Sequence, residues 1–187
     1  MRHYILEAFD YGECEGVDVD GKTVVDVGAS YGETAVYFLK RSAKRVIAIE
    51  PCPEAFKEML ENIGLNGVGD RVVPVNAAIS SKRGAICVKC PSRRHAVDAI
   101  RSGTCEKYDL CGGVLKMDYE GCEYDVVLND YEHVKLFDEV HFEYHAFMTK
   151  KPVEVLLRRL SEDFVYKMVS DEYYCERRLQ QEAPWLC

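Results

Sequence analysis

Residues 24–50 constrain this chain more than any other stretch. They read V-V-D-V-G-A-S-Y-G-E-T, run on through about a dozen helix-compatible residues, and close with R-V-I-A-I-E. An apolar run ends at Asp26-Val27-Gly28, a second glycine follows at Gly32, and a second apolar run, Val46 to Ile49, ends at Glu50. Strand, glycine turn, helix, strand and acid in that order describe a βαβ unit. Its right-handed crossover brings both strand ends to one edge of a parallel sheet, the edge where open α/β sheets bind ligands. An acid at the second strand end suits the two hydroxyls of a ribose.

The turn is not built for a pyrophosphate. A dinucleotide loop reads G-x-G-x-x-G because bare backbone has to approach phosphate. Here Asp26 stands where the first glycine would be, and Gly28-Ala29-Ser30-Tyr31-Gly32 reads G-x-x-x-G. A carboxylate in the turn repels phosphate and attracts a cation. S-adenosylmethionine, with a ribose, a sulfonium, an ammonium and no phosphate, fits such a loop better than NAD or ATP. G-x-x-x-G alone describes a tight turn in any α/β domain. Asp26 and Glu50 at this spacing make it a cofactor site.

At 187 residues and 48% apolar content, the chain suits a single domain, residues 1–187, with a sizeable core. No apolar stretch approaches the roughly 20 residues of a membrane span. The N-terminus, M-R-H-Y-I-L-E-A-F-D, has acids where a signal peptide needs its apolar core. A cytoplasmic protein without a membrane partner is expected. The net charge of −8 argues against an electrostatic grip on nucleic acid, which rests on clustered Lys and Arg. Ser92-Arg93-Arg94-His95 is a local basic group through which RNA binding stays open as an alternative.

Nine cysteines are many for a cytoplasmic enzyme. Cys87 and Cys90, followed by Cys105 and Cys111, can be drawn as a four-thiolate zinc site, but the second pair is spaced more widely than zinc knuckles use. The reading therefore assigns no metal there. Few Asn and Gln beside many charged residues fit a thermophile, in which intracellular disulfides are common. Disulfides and free thiols both remain open.

The strands read as Thr23 to Val27, Val46 to Ile49, Arg71 to Asn76, Gly113 to Met117 and Val140 to Tyr144. Phe164 to Val169 and Tyr173 to Leu179 supply a closing pair. Helices are expected at Gly32 to Arg41, Pro53 to Leu65, Cys122 to Leu128 and Pro152 to Leu160. In the least readable part, 80–112, Ala85 to Val88 suggests a short strand and His95 to Ile100 a helix. The stretch before Gly21 is expected over the cofactor mouth or as an added strand pair. Alternating strands and helices predict an α/β fold with a mostly parallel sheet and helices on both faces. Asp26, Glu50, Asn76, Asp118 and Glu143 or His145 all fall at strand ends on its ligand edge.

A second constellation, Leu115-Lys-Met-Asp-Tyr-Glu-Gly-Cys-Glu123, sets four charges around a strand-to-helix turn. Helix capping accounts for the acids after the strand. It does not account for Lys116, which is expensive in a central strand unless paired. With this block the chain resembles the FkbM-type branch of the class I S-adenosylmethionine-dependent methyltransferases. The matching segments are Val25-Val-Asp-Val-Gly-Ala-Ser-Tyr-Gly32, Glu50-Pro51, Asn62-Ile-Gly-Leu-Asn66, Leu115 to Glu123 and Glu143-Tyr-His145, over about residues 23–146. Ser30 departs from the usual Asn, and the customary lead into the second block is not recognisable in 80–112.

The resemblance implies a Rossmann-like fold with a seven-stranded, mostly parallel sheet and an antiparallel closing strand. It implies S-adenosylmethionine as cofactor and, by the family alone, transfer to oxygen of a small molecule or sugar. Asp26, the loop Gly28, Ala29, Ser30, Tyr31 and Gly32, and then Glu50, Pro51, Asn76, Ala77 and Asp118 would hold the cofactor. From charge alone, Asp26, Glu50 and Asp118 form an acidic cup for a cation, which agrees. A hydroxyl acceptor needs a base or a metal to take its proton. His141, Glu143 and His145 alternate onto one strand face. His145 is read as the base, Glu143 as its orienter, and Asp118 as the third catalytic group. Lys116, Glu120 and Glu123 are candidates for substrate contact. A metal held by Asp118, Glu143 and His145 is a chemical alternative. RNA methylation and non-catalytic cofactor binding are the rival functions.

Overall fold

The computed structural model describes residues 14, 16–90, 93–100, 112–118, 121–144, 150–169 and 172–178. Seven strands form the main sheet. They are β1 (Thr23–Val27), β2 (Arg45–Ile49), β3 (Val72–Val75), β7 (Val114–Met117), β8 (Glu139–Glu143), β9 (Phe164–Val169) and β10 (Glu172–Arg177). Their order across the sheet is β3-β2-β1-β7-β8-β10-β9. β3, β2, β1, β7 and β8 run parallel, and β10 is antiparallel to both β8 and β9. The antiparallel strand is the expected closing element.

The strands alternate between two apolar layers. Val25, Val27, Leu115, Met117, Val140 and Phe142 pack into one core with the helices α3 (Cys122–Asn129), α4 (Tyr131–Val134) and α5 (Glu154–Leu160). Val24, Val46, Ala48 and Val114 face the other core with α1 (Glu33–Lys40) and α2 (Pro53–Leu65). In α1, Ala35, Val36, Phe38 and Leu39 are buried, with Glu33 in the first turn and Lys40 in the last. That charge order complements the helix dipole. α2 begins on Pro53, whose fixed φ and missing N–H suit a first turn, and buries Met59 and Ile63.

The crossover from β3 to β7 departs from the expectation at one point. It carries a second sheet of β4 (Ala78–Ile79), β5 (Gly84–Lys89) and β6 (Arg94–Ile100), in the order β4-β6-β5. Ala85 to Val88 is a strand as read, but His95 to Ile100 is a strand and not a helix. Its two alanines favour helix in isolation, yet Val97 and Ala99 are buried while Ala96 and Asp98 are exposed, a period of two. Antiparallel pairing with β5 (Val97 opposite Ile86, His95 opposite Val88) outweighs the local preference. Cys90, one of the four cysteines of the zinc arrangement, is joined to Cys52 in a disulfide. Among the described residues Cys87, Cys122 and Cys175 are free thiols. Residues 1–13, and with them most of the expected N-terminal cover, lie outside the described residues, as do Glu120, His145, Cys105 and Cys111. No helix among the described residues is long and apolar enough to cross a membrane.

Candidate functional site

The carboxyl ends of β1, β2, β7 and β8 share one edge of the sheet, and the loop after β1 forms its centre. Gly28 and Ala29 donate their N–H groups to the Ile49 carbonyl (3.0 and 3.1 Å), and Gly32 N–H donates to the Ala29 carbonyl (2.7 Å). Ser30 N–H donates to Glu50 Oε2 (2.9 Å), and Asn62 Nδ2 donates to the Tyr31 carbonyl (2.9 Å) from α2. Gly28 and Gly32 take φ of 80° and 84°, values that glycine adopts without the Cβ penalty. A Cβ on Gly32 would also lie 2.8 Å from Met59 Cγ. Ser30 is left-handed too, at φ 46°. Asn tolerates that region better than Ser, and the Glu50 carboxylate holds the Ser30 N–H there.

Glu50 is buried and fixes the loop to the start of α2. Besides Ser30, its carboxylate accepts from Cys52 N–H at Oε1 (2.6 Å). Burial pushes its pKa up to about 7, against the lowering effect of those two N–H donors. Asn76 Nδ2 donates to the carbonyls of Glu50 (2.8 Å) and Pro51 (3.3 Å), so the end of β3 is tied to the end of β2. Pro51 and Ala77 are buried beside this tie. Each carboxylate oxygen accepts more than one hydrogen bond, which leaves Glu50 acceptor capacity for ribose hydroxyls.

Asp26 is fully buried beneath the loop. Thr34 Oγ1 of α1 donates to its Oδ2 (2.5 Å), and Lys116 Nζ lies 3.3 Å from its Oδ1. The same ammonium is 3.6 Å from Asp118 Oδ2, whose side chain is 36% exposed. Burial alone would lower the Lys116 pKa, but Asp26 and Asp118 outweigh it and hold the lysine charged. Asp26 and Lys116 are direct register partners on β1 and β7. The lysine therefore lies between a buried and a surface carboxylate, and Asp118 carries the acidic charge to the mouth. Glu33, at the start of α1, has a buried Oε2 without a hydrogen-bond partner among the described residues and a pKa raised to about 7, chiefly by burial. Neither Glu33 nor Thr34 stands out in the sequence, because acids and hydroxyls are ordinary in a first helical turn.

β8 adds the next polar row. Val140 and Phe142 face the core, which sends Glu139, His141 and Glu143 to the opposite face, as the alternation predicts. His141 is buried and pairs in register with Lys116. Asp26, Lys116 and His141 thus form one row across three adjacent strands. Glu143, partly exposed, lies one residue past the Met117–Phe142 pair, level with Asp118. Glu123 is buried in the first turn of α3.

Two kinds of similarity bear on this edge. A family model for the TRM5/TYW2 methyltransferase domain matches residues 15–86, the segment that holds the loop, Glu50 and Asn76. The ribosomal protein L11 methyltransferase of Alteromonas mediterranea is 43% identical over 58 residues, which are 31% of this chain and 20% of that protein. The chain thus matches about a fifth of the length of such curated relatives. Among solved structures, the methyltransferase FkbM from Methylobacillus flagellatus superposes with a TM-score of 0.62 at 17% identity, covering 92% of this chain and 47% of that one. A protein from Pyrococcus horikoshii described as a candidate RNA methyltransferase gives 0.56 at 17% identity, covering 94% and 84%. The fold is that of the class I methyltransferases.

In this fold the loop spends its backbone donors on the protein itself. The N–H groups of Gly28, Ala29, Ser30 and Gly32 are all taken by protein acceptors, one of them a carboxylate. A pyrophosphate needs such donors free and no acid nearby. With Glu50 against the loop, Asp26 beneath it and Asp118 at the rim, the edge suits a ribose joined to a cation. It does not suit a phosphate.

Proposed function

We propose that this chain is an S-adenosylmethionine-dependent methyltransferase acting on an oxygen of a small molecule or sugar, in the manner of the FkbM-type enzymes. The observation that carries the cofactor assignment is the loop whose backbone donors are closed to phosphate while an acid stands at each side of it. In this reading Glu50 accepts the ribose hydroxyls, and Gly28 to Gly32 flank the methionine portion. Asn76, Ala77 and Pro51 border the adenine. Asp118 meets the methionine ammonium, while Asp26, paired with Lys116 beneath the loop, holds that lysine in place.

Bound there, the cofactor supplies a methyl group on a sulfonium, already activated for in-line displacement. What the chain adds is alignment and removal of the acceptor's proton. His145 takes that proton, and Glu143 orients the imidazole or the acceptor. Glu120 holds acceptor hydroxyls, whereas Glu123 is buried and closed to an acceptor. Lys116, buried between two aspartates, acts on the acceptor side only by fixing Asp118. Changing His145 to Ala should lower turnover and leave cofactor affinity nearly unchanged; unchanged turnover would refute the role.

A second reading, transfer to RNA or protein, is favoured by the family model over 15–86, by the names of the matched proteins, and by exposed Arg93 and Arg94 at the start of β6. The net charge of −8 opposes the RNA form of it. Transfer of a labelled methyl group to parallel pools of sugars and small hydroxyl compounds, RNA, and ribosomal protein separates the readings. Label in the first pool supports the proposal. Label only in RNA or protein replaces the acceptor. Cofactor binding without label in any pool makes the chain a binding protein.

A further inference from the structure

The disulfide joins two elements that bring further metal-ligating groups with them. Cys52 caps the start of α2, and Glu54 follows in its first turn. Cys90 follows directly on β5, and His95 lies near the start of β6. One carboxylate oxygen of Glu54, the Cys90 Sγ and one ring nitrogen of His95 lie within 4.8 Å of one another. His95 Nε2 and Glu54 Oε1 are already 3.1 Å apart. Cys52 Sγ is bonded to Cys90 Sγ and so adjoins the same cluster. Two cysteines, a histidine and a carboxylate are donors that zinc accepts in tetrahedral sites. Ligands at roughly 2.0–2.3 Å from such an ion stand about 3.3–3.8 Å apart, and the Glu54, Cys90 and His95 atoms already lie within 4.8 Å.

We propose that the reduced protein binds one zinc-class divalent cation through Cys52, Cys90, His95 and Glu54, so that disulfide and metal are alternative clamps between α2 and the β5–β6 hairpin. A dithiol reductant donates two electrons to the Cys52–Cys90 bond and becomes a disulfide itself, leaving two thiols. The cation then displaces the two thiol protons to solvent and is held by two thiolates, a neutral imidazole and a carboxylate. Glu54 is half-exposed, which gives the ion a path from solvent. Arg93 Nε lies 3.4 Å from His95 Nε2 and has to swing aside into solvent, where its side chain already lies exposed. The proposal does not rest on methyl transfer: of the four ligands only Cys52 touches the acidic cup, through its backbone N–H to Glu50 and not through its sulfur.

The test is a cobalt titration of the full chain, reduced with a phosphine under anaerobic conditions, followed by displacement with zinc. One equivalent should produce a thiolate-to-cobalt charge-transfer band, and the unreduced chain should produce none. Cys52→Ser and Cys90→Ser should each cut that band. His95→Ala, a change at a largely covered side chain checked by an unaltered circular dichroism spectrum, should weaken affinity at least about ten-fold, the loss that even outer-shell partners produce. Cys87→Ser, exposed on the other face of β5, should leave the titration unchanged. An equal band in the unreduced chain, or one insensitive to both Cys90→Ser and His95→Ala, overturns the proposal.

Discussion

The Lys116 ammonium lies 3.3 Å from Asp26 Oδ1, between two directly paired residues of the central strands β1 and β7. Both side chains are buried, with Asp26 wholly inaccessible. Removing one partner leaves an uncompensated charge in the core. Lys116→Met should therefore destabilise the fold by about 3–5 kcal/mol, measured by chemical denaturation. Replacing both, as Asp26→Asn with Lys116→Met, should cost clearly less than the lysine change alone. Equal losses in the single and double variants would contradict the pairing.

Glu50 carries two predictions. Glu50→Gln removes a charged acceptor from both the loop and the ribose position. Hydrogen bonds to charged groups contribute about 1.5–3 kcal/mol, so affinity for S-adenosylmethionine should fall by roughly ten- to a hundred-fold in calorimetry. Because burial raises its pKa to about 7, the ionised form that accepts two hydroxyls is lost as pH drops below neutrality. Affinity should weaken between pH 8 and pH 6, and the Gln variant should lose that dependence.

Stability should depend on pH in the opposite direction. Burial raises Glu33, Glu50 and Glu139 to about 7 each, above the ordinary carboxyl value of about 4.3 in an unfolded chain. Between these values the folded state binds more protons than the unfolded one, so stability falls as pH rises. The contribution is intact below about 4.5 and lost by about 7. The denaturant midpoint should be higher at pH 5 than at pH 8, and Glu139→Gln should narrow the gap. A midpoint that rises from pH 5 to pH 8 would rule this out.

Gly32 is predicted to be intolerant of a side chain. Its positive φ and the 2.8 Å approach of a Cβ to Met59 Cγ act together. Gly32→Ala should destabilise by about 1–3 kcal/mol, the range for a non-glycine residue held in a sparsely populated region. It should also misplace the loop against the cofactor.

Much of this site is legible in the sequence because its signals are local. β1 can be read to the residue from an apolar run ending in Asp-Val-Gly, and the need for a partner to Lys116 follows from its place in a central strand. Which partner it takes is not legible, since that depends on the register between strands some 90 residues apart in sequence. The acidic cup, read as three carboxylates, proves to contain a lysine that offsets the deepest of them. β6 escapes the sequence reading because Ala96 and Ala99, on either side of Val97 and Asp98, carry no strand preference of their own, and only the pairing with β5 makes them extended. The bond between Cys52 and Cys90 closes 38 residues of sequence separation, and spacing alone offers no pairing rule.

The most direct measurement is calorimetry of the full chain with S-adenosylmethionine, its demethylated product, NAD and ATP. Both sulfur nucleosides should bind at one shared site, with binding sharply weakened in Glu50→Gln, and the two phosphate-bearing nucleotides should bind far more weakly. Tight binding of NAD or ATP, or no binding of either sulfur nucleoside, would contradict the account.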